Sequence, residues 1–255
     1  MIARVLIVAG SDSGGGAGIQ ADIRTVTMLG GHPMTAVTAI TAQNTLGVQG
    51  VHPVPAAMVI AQMRSVIDDI GVDAVKIGMI GSAATAHAVA DVLETLDVPI
   101  VFDPVMVATS GSVLADADTI AAFARLMAVA SVVTPNLPEL AALGGEAAVL
   151  AHGCHLVVKG GHAEGHVVLD RLFSPGGLLC EMEGKRIDTT HTHGTGCTFA
   201  SALACGLAGG LSIEDSFVQA IRFVRIALLA APGIGGGNGP MGHALGVVPF
   251  DEIEG

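Results

Sequence analysis

The stretch AVKIGMIGSAATAHAVADVLETLDVPIVFDP, residues 74–104, contains the unit that decides the fold of this chain. It begins with a short β-branched run at residues 74–77, passes through glycines into an Ala-rich periodic segment at 83–96, and ends in an apolar run at 100–102. A strand, a helix and another strand in this order predict two parallel strands joined by a crossover helix. The strands lack polar alternation, which is expected when helices cover both faces of a sheet.

The same alternation extends over nearly the whole chain. Four more strands are predicted at residues 5–9, 35–41, 132–134 and 156–159. Six more helices are predicted at residues 19–29, 56–70, 119–127, 138–143, 198–207 and 213–229. Residues 167–173 and 178–183 flank Ser174-Pro175-Gly176-Gly177 and predict a late β-hairpin. Because no linker divides the sequence, residues 1–255 are expected to form a single α/β domain with a mostly parallel sheet.

The composition argues against several classes of function. The chain has 255 residues, 51% of them apolar, and a net charge of −12 with only 11 scattered Lys and Arg residues. A nucleic-acid surface needs clustered basic residues, so none is expected. The sequence has no uninterrupted apolar run of about 18 residues and no signal-peptide pattern, so we expect a cytoplasmic protein without a membrane span. The four cysteines lack C-x-x-C spacing, which argues against a disulfide framework or a zinc site.

Polar and glycine-rich segments follow the predicted strands. These segments are residues 10–18, 43–45, 78–79, 103–104, 136–139 and 160–162. Ligands of such sheets bind at the carboxyl ends of the strands, so this rim is the predicted active-site edge.

The glycine loop at residues 10–18 has two interpretations. It could cradle a phosphate, because glycines allow the backbone to approach a ligand closely. It matches neither the P-loop nor the G-x-G-x-x-G pattern, and it could equally be a strand-to-helix turn capped by Asp12 or Ser13. Asp22, on the polar side of the next helix, is by itself expected to be a solvated carboxylate.

Charged residues on the same rim also have alternative roles. Asn136 and Glu139 stand where a helix should begin, so Glu139 could cap that helix or hold Mg²⁺ through water. Asp103 precedes a proline at a strand end, which is weak evidence taken alone. Lys159 ends an apolar strand and needs an anionic partner there, for which a phosphate is the favoured candidate.

The segment HTHGTGCT, residues 191–198, predicts a helix start that binds an anion. Cys197 in its first turn could be an inert core thiol, a nucleophile or a base that positions a hydroxyl. A helix N-terminus is expected to lower a thiol pKa, and His191 or His193 could act as its base. These histidines also form an H-x-H pair, but no third metal ligand stands at a usual spacing.

Taken in order, these motifs resemble the hydroxymethylpyrimidine/phosphomethylpyrimidine kinases of thiamin biosynthesis, a branch of the ribokinase superfamily. The segments that carry the resemblance are residues 10–22, 41–45, 76–79, 103–106, 134–139, 158–162 and 191–198. Most of the superfamily has Asp where Cys197 stands, and Cys is similar to this branch. The resemblance implies a ribokinase-like three-layer α/β/α sandwich, ATP and Mg²⁺, and two successive phosphorylations of one pyrimidine. The few charges of the chain also favour a homodimer.

The resemblance assigns site residues by position. The substrate-binding candidates are Gln43 for the aminopyrimidine, together with Gly10, Ala17, Asp22, Met79 and Val105. The nucleotide-binding candidates are Lys159, Thr195 and Asn136, and the Mg²⁺ candidates are Glu139 and Asp103. The catalytic candidates are Cys197 and Lys159, with Gly194 and Gly196 in the anion hole.

The sequence departs from the family pattern at three positions, and it leaves three alternative functions open. Gly236 and Asn238 stand where the family often has Lys and His, and Thr109 stands where many relatives have Lys. A pyridoxal kinase, a non-catalytic vitamin or nucleotide sensor, and a cysteine hydrolase are the alternative functions. Without Trp or Tyr, the adenine pocket is expected to be aliphatic.

Overall fold

The computed structural model describes residues 2–108, 111–162 and 165–247, so Thr109 lies outside the described residues. The strands are β1 (Arg4–Ala9), β2 (His32–Val37), β3 (Ala39–Asn44), β4 (Gly47–Pro53), β5 (Ala74–Ile77), β6 (Ile100–Phe102), β7 (Val132–Val133), β8 (His155–Val158), β9 (Val167–Ser174) and β10 (Gly177–Lys185). The helices are α1 (Gly18–Met28), α2 (Ala56–Asp69), α3 (Ala83–Leu93), α4 (Ala117–Val129), α5 (Leu137–Ala142), α6 (Glu146–Leu150), α7 (Thr195–Ala208) and α8 (Ile213–Leu229).

Eight strands form the central sheet in the order β10-β9-β8-β7-β6-β5-β1-β2. Strands β2, β1, β5, β6, β7 and β8 are parallel, whereas β9 and β10 form an antiparallel hairpin on the edge of β8. Alternate residues of β1 point to opposite faces, with Leu6 in one hydrophobic cluster and Ile7 in the other. Helices α2, α3 and α4 cover the first face, and α1, α7 and α8 cover the second. The predicted mostly parallel sheet with helices on both faces and a late hairpin is confirmed.

The predicted strand at residues 35–41 is wrong, because the structure divides this segment at Thr38. Its second half, β3, leaves the central sheet and pairs with β4 in a separate two-stranded antiparallel sheet. Strand β4 (Gly47–Pro53) is exposed over most of its length and has no apolar run. Its pairing with β3 is what makes it a strand, and the sequence pattern did not indicate it.

One helix was not predicted, and several others have bounds that differ from the prediction. Helix α6 was missed because its five residues are too few to show a period. Helix α7 begins at Thr195 and not at the predicted residue 198, and Cys197 lies inside its first turn, as predicted. Among the helices in the described part of the chain, none is long and apolar enough to cross a membrane.

Candidate active site

A cavity of about 840 Å³ opens at the carboxyl ends of the parallel strands. This volume lies within the range of small-molecule sites. Its lining includes the candidates Gly10, Ala17, Gln43, Met79, Asp103, Val105, Asn136, Glu139, Lys159, Gly194, Thr195, Gly196 and Cys197. The glycine loop after β1, the turn after β5 and the start of α7 meet here because parallel strands end at one edge of the sheet.

Asp22 is the candidate that the structure places elsewhere. It is fully buried and lies outside the cavity lining, as far as the described residues define it, so the expected solvated carboxylate is wrong. Both carboxylate oxygens accept hydrogen bonds from Lys76 Nζ, at 3.0 and 2.9 Å, and Oδ1 accepts a third from Ser201 Oγ at 2.8 Å. Burial raises the pKa of Asp22, and the Lys76 charge opposes that rise. The inward face of α1 therefore holds an ion pair beneath the site.

The start of α7 is built from glycines because the backbone is crowded there. Gly194 has a φ of 86°, and a Cβ on it would lie 2.0 Å from the carbonyl oxygen of Gly16. A Cβ on Gly196 would lie 3.3 Å from an Asp103 carboxylate oxygen and 3.4 Å from Lys159 Nζ. The free N–H groups of a first helical turn and its positive dipole end favour an anion. The anion-binding helix start predicted from the sequence therefore borders the cavity next to Lys159.

The Cys197 thiol does not have the lowered pKa expected at a helix N-terminus. Burial raises its pKa to about 11, with help from the negative charges of Asp22 and Asp103. The Lys76 charge and the Gly18 N–H act in the opposite direction but are outweighed. Because the thiolate is the nucleophilic form, a thiol that stays protonated at neutral pH disfavours the hydrolase alternative.

Lys159, Asp103 and Glu139 form a charged cluster in the cavity wall. Lys159 Nζ donates to Asp103 Oδ1 at 2.9 Å, and Thr134 Oγ1 donates to the same oxygen at 3.1 Å. Within the chain the anionic partner of Lys159 is the Asp103 carboxylate, and the phosphate partner expected from the sequence stays a prediction. Burial, followed by the negative charge of Asp103, raises the pKa of Glu139 to about 7, while Lys159 opposes the rise.

Glu139 also caps helix α5. Its Oε2 accepts the backbone N–H of Asn136 at 2.9 Å, and Asn136 Oδ1 accepts the backbone N–H of Glu139 at 2.9 Å. The capping interpretation is therefore confirmed, and the same carboxylate also lines the cavity. Two carboxylates beside a cavity suit Mg²⁺, which prefers a few oxygen ligands and keeps several waters. No cluster of three or more His, Cys, Asp or Glu that could hold a metal occurs within residues 2–108, 111–162 and 165–247.

The hydrogen-bond partners of His193 were not predicted from the sequence. Its Nε2 lies 2.9 Å from Asp12 Oδ2 and 3.1 Å from the Gln43 side-chain nitrogen, so this ring nitrogen already has hydrogen-bond partners within the protein. These contacts join residues 150 and 181 positions apart, and no spacing in the sequence could have indicated them.

Comparison with known proteins identifies the family. The profile of the family described as phosphomethylpyrimidine kinase matches residues 12–242. The chain belongs to the phosphomethylpyrimidine kinase family. A hydroxymethylpyrimidine/phosphomethylpyrimidine kinase of Streptomyces coelicolor is 48% identical over 258 residues, which cover 95% of each chain. The family resemblance read from the sequence is confirmed, and the chain is a kinase.

Solved structures confirm the ribokinase-like fold of this kinase. A Bacillus subtilis pyridoxal kinase in an ADP complex has a TM-score of 0.87 at 30% identity, covering 96% of this chain and 98% of that chain. A phosphomethylpyrimidine kinase of Clostridium difficile has a TM-score of 0.76 at 32% identity, covering 88% of this chain and 98% of that chain. The first of these two structures holds ADP.

The cavity lining of this kinase includes the aliphatic side chains Val168, Ile187, Ile221, Val224 and Leu228 and the charged side chains of Arg186 and Arg225. Asp170 also lines the cavity and accepts the backbone N–H of Gly160 at 2.9 Å. The aliphatic adenine pocket expected from the absence of Trp and Tyr stays a prediction.

Proposed function

We propose that this kinase phosphorylates the hydroxymethyl group of 4-amino-5-hydroxymethyl-2-methylpyrimidine and then phosphorylates the monophosphate to the diphosphate, as a step toward thiamin diphosphate. One observation carries the proposal. A single cavity contains Gln43, the start of α7 and Lys159, so a ring pocket, an anion site and a phosphate-neutralising charge are continuous. The names of full-length relatives support the same activity.

The chain's own groups account for the transfer through position and charge. The substrate oxygen forms a bond to the γ-phosphorus of ATP while the bond to the ADP oxygen breaks. The charge on the transferred group is stabilised by the N–H groups at the start of α7 and by Lys159. In the first transfer the hydroxyl proton leaves late in such a loose transition state and passes to an oxygen of the transferred phosphoryl group, so little base strength is needed from the protein. A protonated Cys197 therefore serves to orient the hydroxyl and is not covalently modified.

Asp103 and Glu139 are the residues that would hold Mg²⁺. Bound there, the ion would neutralise charge on the ATP phosphates. Glu139 must be ionised for this role, and its pKa of about 7 places that change near neutral pH. Asp103 is shared with Lys159, so the ammonium and the ion would compete for one carboxylate unless a phosphate takes over Lys159.

The second candidate function is that of a pyridoxal kinase. It is favoured by the higher TM-score of the pyridoxal kinase structure, 0.87 against 0.76 for the phosphomethylpyrimidine kinase. The two functions differ in the number of phosphoryl transfers, because only the pyrimidine pathway needs a diphosphate.

Mass spectrometry can count the phosphates. The purified chain is incubated with Mg-ATP and either hydroxymethylpyrimidine or pyridoxal. We expect pyrimidine monophosphate first and diphosphate later. Phosphorylation of pyridoxal alone supports the second candidate, and no product from either compound supports a sensor.

A further inference from the structure

The buried His193 connects the glycine loop to the substrate-facing amide. Its Nε2 lies between Asp12 Oδ2, at 2.9 Å, and the Gln43 side-chain nitrogen, at 3.1 Å. Asp12 is 2% exposed and His193 is 6% exposed, yet both border the cavity together with Gln43. A charged or polar contact this well shielded from water depends strongly on matching donors with acceptors.

Asp12 is ionised in this arrangement. Its Oδ1 accepts the N–H of Gly14 at 2.8 Å, and its Oδ2 accepts the N–H groups of Gly16 at 3.0 Å and Ala17 at 2.8 Å. Burial opposes the charge, but the hydrogen bonds from His193 and the backbone outweigh it and lower the pKa of Asp12. An ionised carboxylate only accepts hydrogen bonds.

The charge on Asp12 decides the proton on His193. An acceptor at 2.9 Å requires a hydrogen on His193 Nε2, which leaves this nitrogen no lone pair for the amide of Gln43. Two donors facing each other at 3.1 Å would repel. The two ends of a terminal amide have the same shape, and the hydrogen-bond network decides between them. The favourable arrangement therefore places the Gln43 carbonyl oxygen on the shared N–H and leaves its NH₂ as a donor.

The backbone of Gln43 is held by the same loop. Ser13 Oγ donates to the Gln43 carbonyl at 2.7 Å and accepts the Gln43 N–H at 2.8 Å. A Cβ on Gly16 would lie 2.6 Å from His193 Cδ2, so the loop and the imidazole are in close contact. His193 also directly precedes Gly194, where the anion site begins. One buried group thus links the ring pocket to the phosphoryl-transfer end.

We propose that Asp12 and His193 are positioning residues, which orient the Gln43 amide so that its NH₂ donates to an acceptor nitrogen of the substrate ring. The inference rests on the proposed function for the identity of that ring. Neither residue needs to touch the reacting atoms. Their effect on substrate binding passes through Gln43.

A double-mutant cycle tests whether His193 acts through Gln43. His193→Leu removes the Nε2 donor, and we expect the KM for the pyrimidine to rise about tenfold, the effect of one hydrogen bond, with the KM for ATP unchanged. In a Gln43→Ala background the same change should have little further effect. His193→Gln restores an amide N–H at similar reach and should recover part of the loss.

His243→Leu is the matched control. This histidine is also buried, and its Nε2 pairs with Thr198 Oγ1 at 2.8 Å in the first part of α7. Its removal should lower the unfolding midpoint without raising the KM for the pyrimidine. An equal rise of that KM by His193→Leu in both backgrounds, or no rise at all, overturns the positioning role.

A spectroscopic measurement covers the case in which His193→Leu does not fold. Long-range ¹H–¹⁵N spectra of the ¹⁵N-histidine protein report which ring nitrogen carries hydrogen. We expect hydrogen on His193 Nε2, and a bare Nε2 contradicts the inference. Wild-type turnover of the pyrimidine with an unaffected KM in the variant defeats only the positioning role. Absence of wild-type turnover defeats the proposed function and the inference together.

Discussion

Two lysine–carboxylate pairs lie side by side under the start of α7 and differ in access to ligand. Lys76 Nζ lies 2.9 Å from Asp22 Oδ2, and Lys159 Nζ lies 2.9 Å from Asp103 Oδ1. The side chains of the first pair are 0% and 0% exposed, whereas those of the second are 15% and 3% exposed. The chemistry and the distances match, so exposure to the cavity is what distinguishes the Lys76–Asp22 pair from the Lys159–Asp103 pair, for which we propose a role in ligand binding.

Lys76 and Asp22, the sealed pair, have no access to water or ligand and depend entirely on partners within the protein. Desolvation of two buried charges offsets much of their attraction, so the pair itself adds little net stability. Removal of one partner, in contrast, strongly lowers stability, because it leaves the other charge buried without a partner and without water. Lys159 and Asp103, the open pair, differ from the sealed pair because a phosphate that enters the cavity can replace Asp103 as the partner of Lys159.

Lys76→Met is expected to have the largest effect on stability. It leaves the Asp22 carboxylate buried without its counter-ion, which costs about 3–5 kcal/mol of unfolding free energy. Urea denaturation followed by circular dichroism measures this loss, and Lys76→Met combined with Asp22→Leu should recover a large part. The control is Arg171→Met, which breaks an exposed pair with Glu181 and should cost less than about 1 kcal/mol. Similar losses of unfolding free energy in Lys76→Met and Arg171→Met would show that burial does not determine the cost of breaking an ion pair.

Lys159→Met is expected to affect catalysis more than folding. Removal of a preorganised group that faces the transferred phosphoryl should lower kcat/KM by about 10²-fold to 10³-fold. Steady-state kinetics with varied ATP measures the loss, and the denaturation midpoint should shift less than in Lys76→Met. Lys185→Met, at the exposed end of β10, is the matched control and should leave kcat/KM unchanged. Full activity of Lys159→Met would contradict the assignment of the open pair to ligand binding.

Cys197 lies close enough to both ion pairs for their charges to act on its thiol. Cys197→Ala should lower turnover by about 10²-fold without unfolding the protein, because the hydroxyl would lose the group that we propose positions it. Cys197→Asp should retain part of the activity, since most of the superfamily has Asp here. Cys154→Ala, which alters another buried thiol in the opposite core cluster, should leave turnover unchanged. Normal turnover in purified Cys197→Ala would remove this residue from the site.

Glu139, next to the open pair, should produce a modest pH dependence. Folding raises its pKa from 4.5 to about 7, so the folded state takes up a proton between those values and unfolding free energy falls as pH rises through them. Above pH 7 the Glu139 carboxylate is ionised, so the rate should depend more strongly on Mg²⁺ there. Glu139→Gln should flatten both profiles in kinetic and denaturation measurements. Persistence of the wild-type profiles in this variant would point to another titrating group.

Local patterns predicted the layered fold well, and the failures occurred where contacts between distant residues decide. Residues 213–229 were predicted as a helix with the bounds that the structure has, because an amphipathic period over many residues is a local signal. Strand β4 was missed because only its pairing with β3 makes it a strand. Asp22 was expected in solvent because nothing near it in the sequence indicates Lys76, which is 54 positions away.

The sequence by itself determined the parallel α/β architecture, the rim that carries the site and the family, because periodicity and short ordered motifs are local properties of the chain. Only the tertiary structure decided which charges are sealed and which are open. It also decided that burial outweighs the helix N-terminus at Cys197, and that His193 joins Asp12 to Gln43. Burial and pairing depend on which distant segments pack together, and they determine the protonation states on which the proposed chemistry depends.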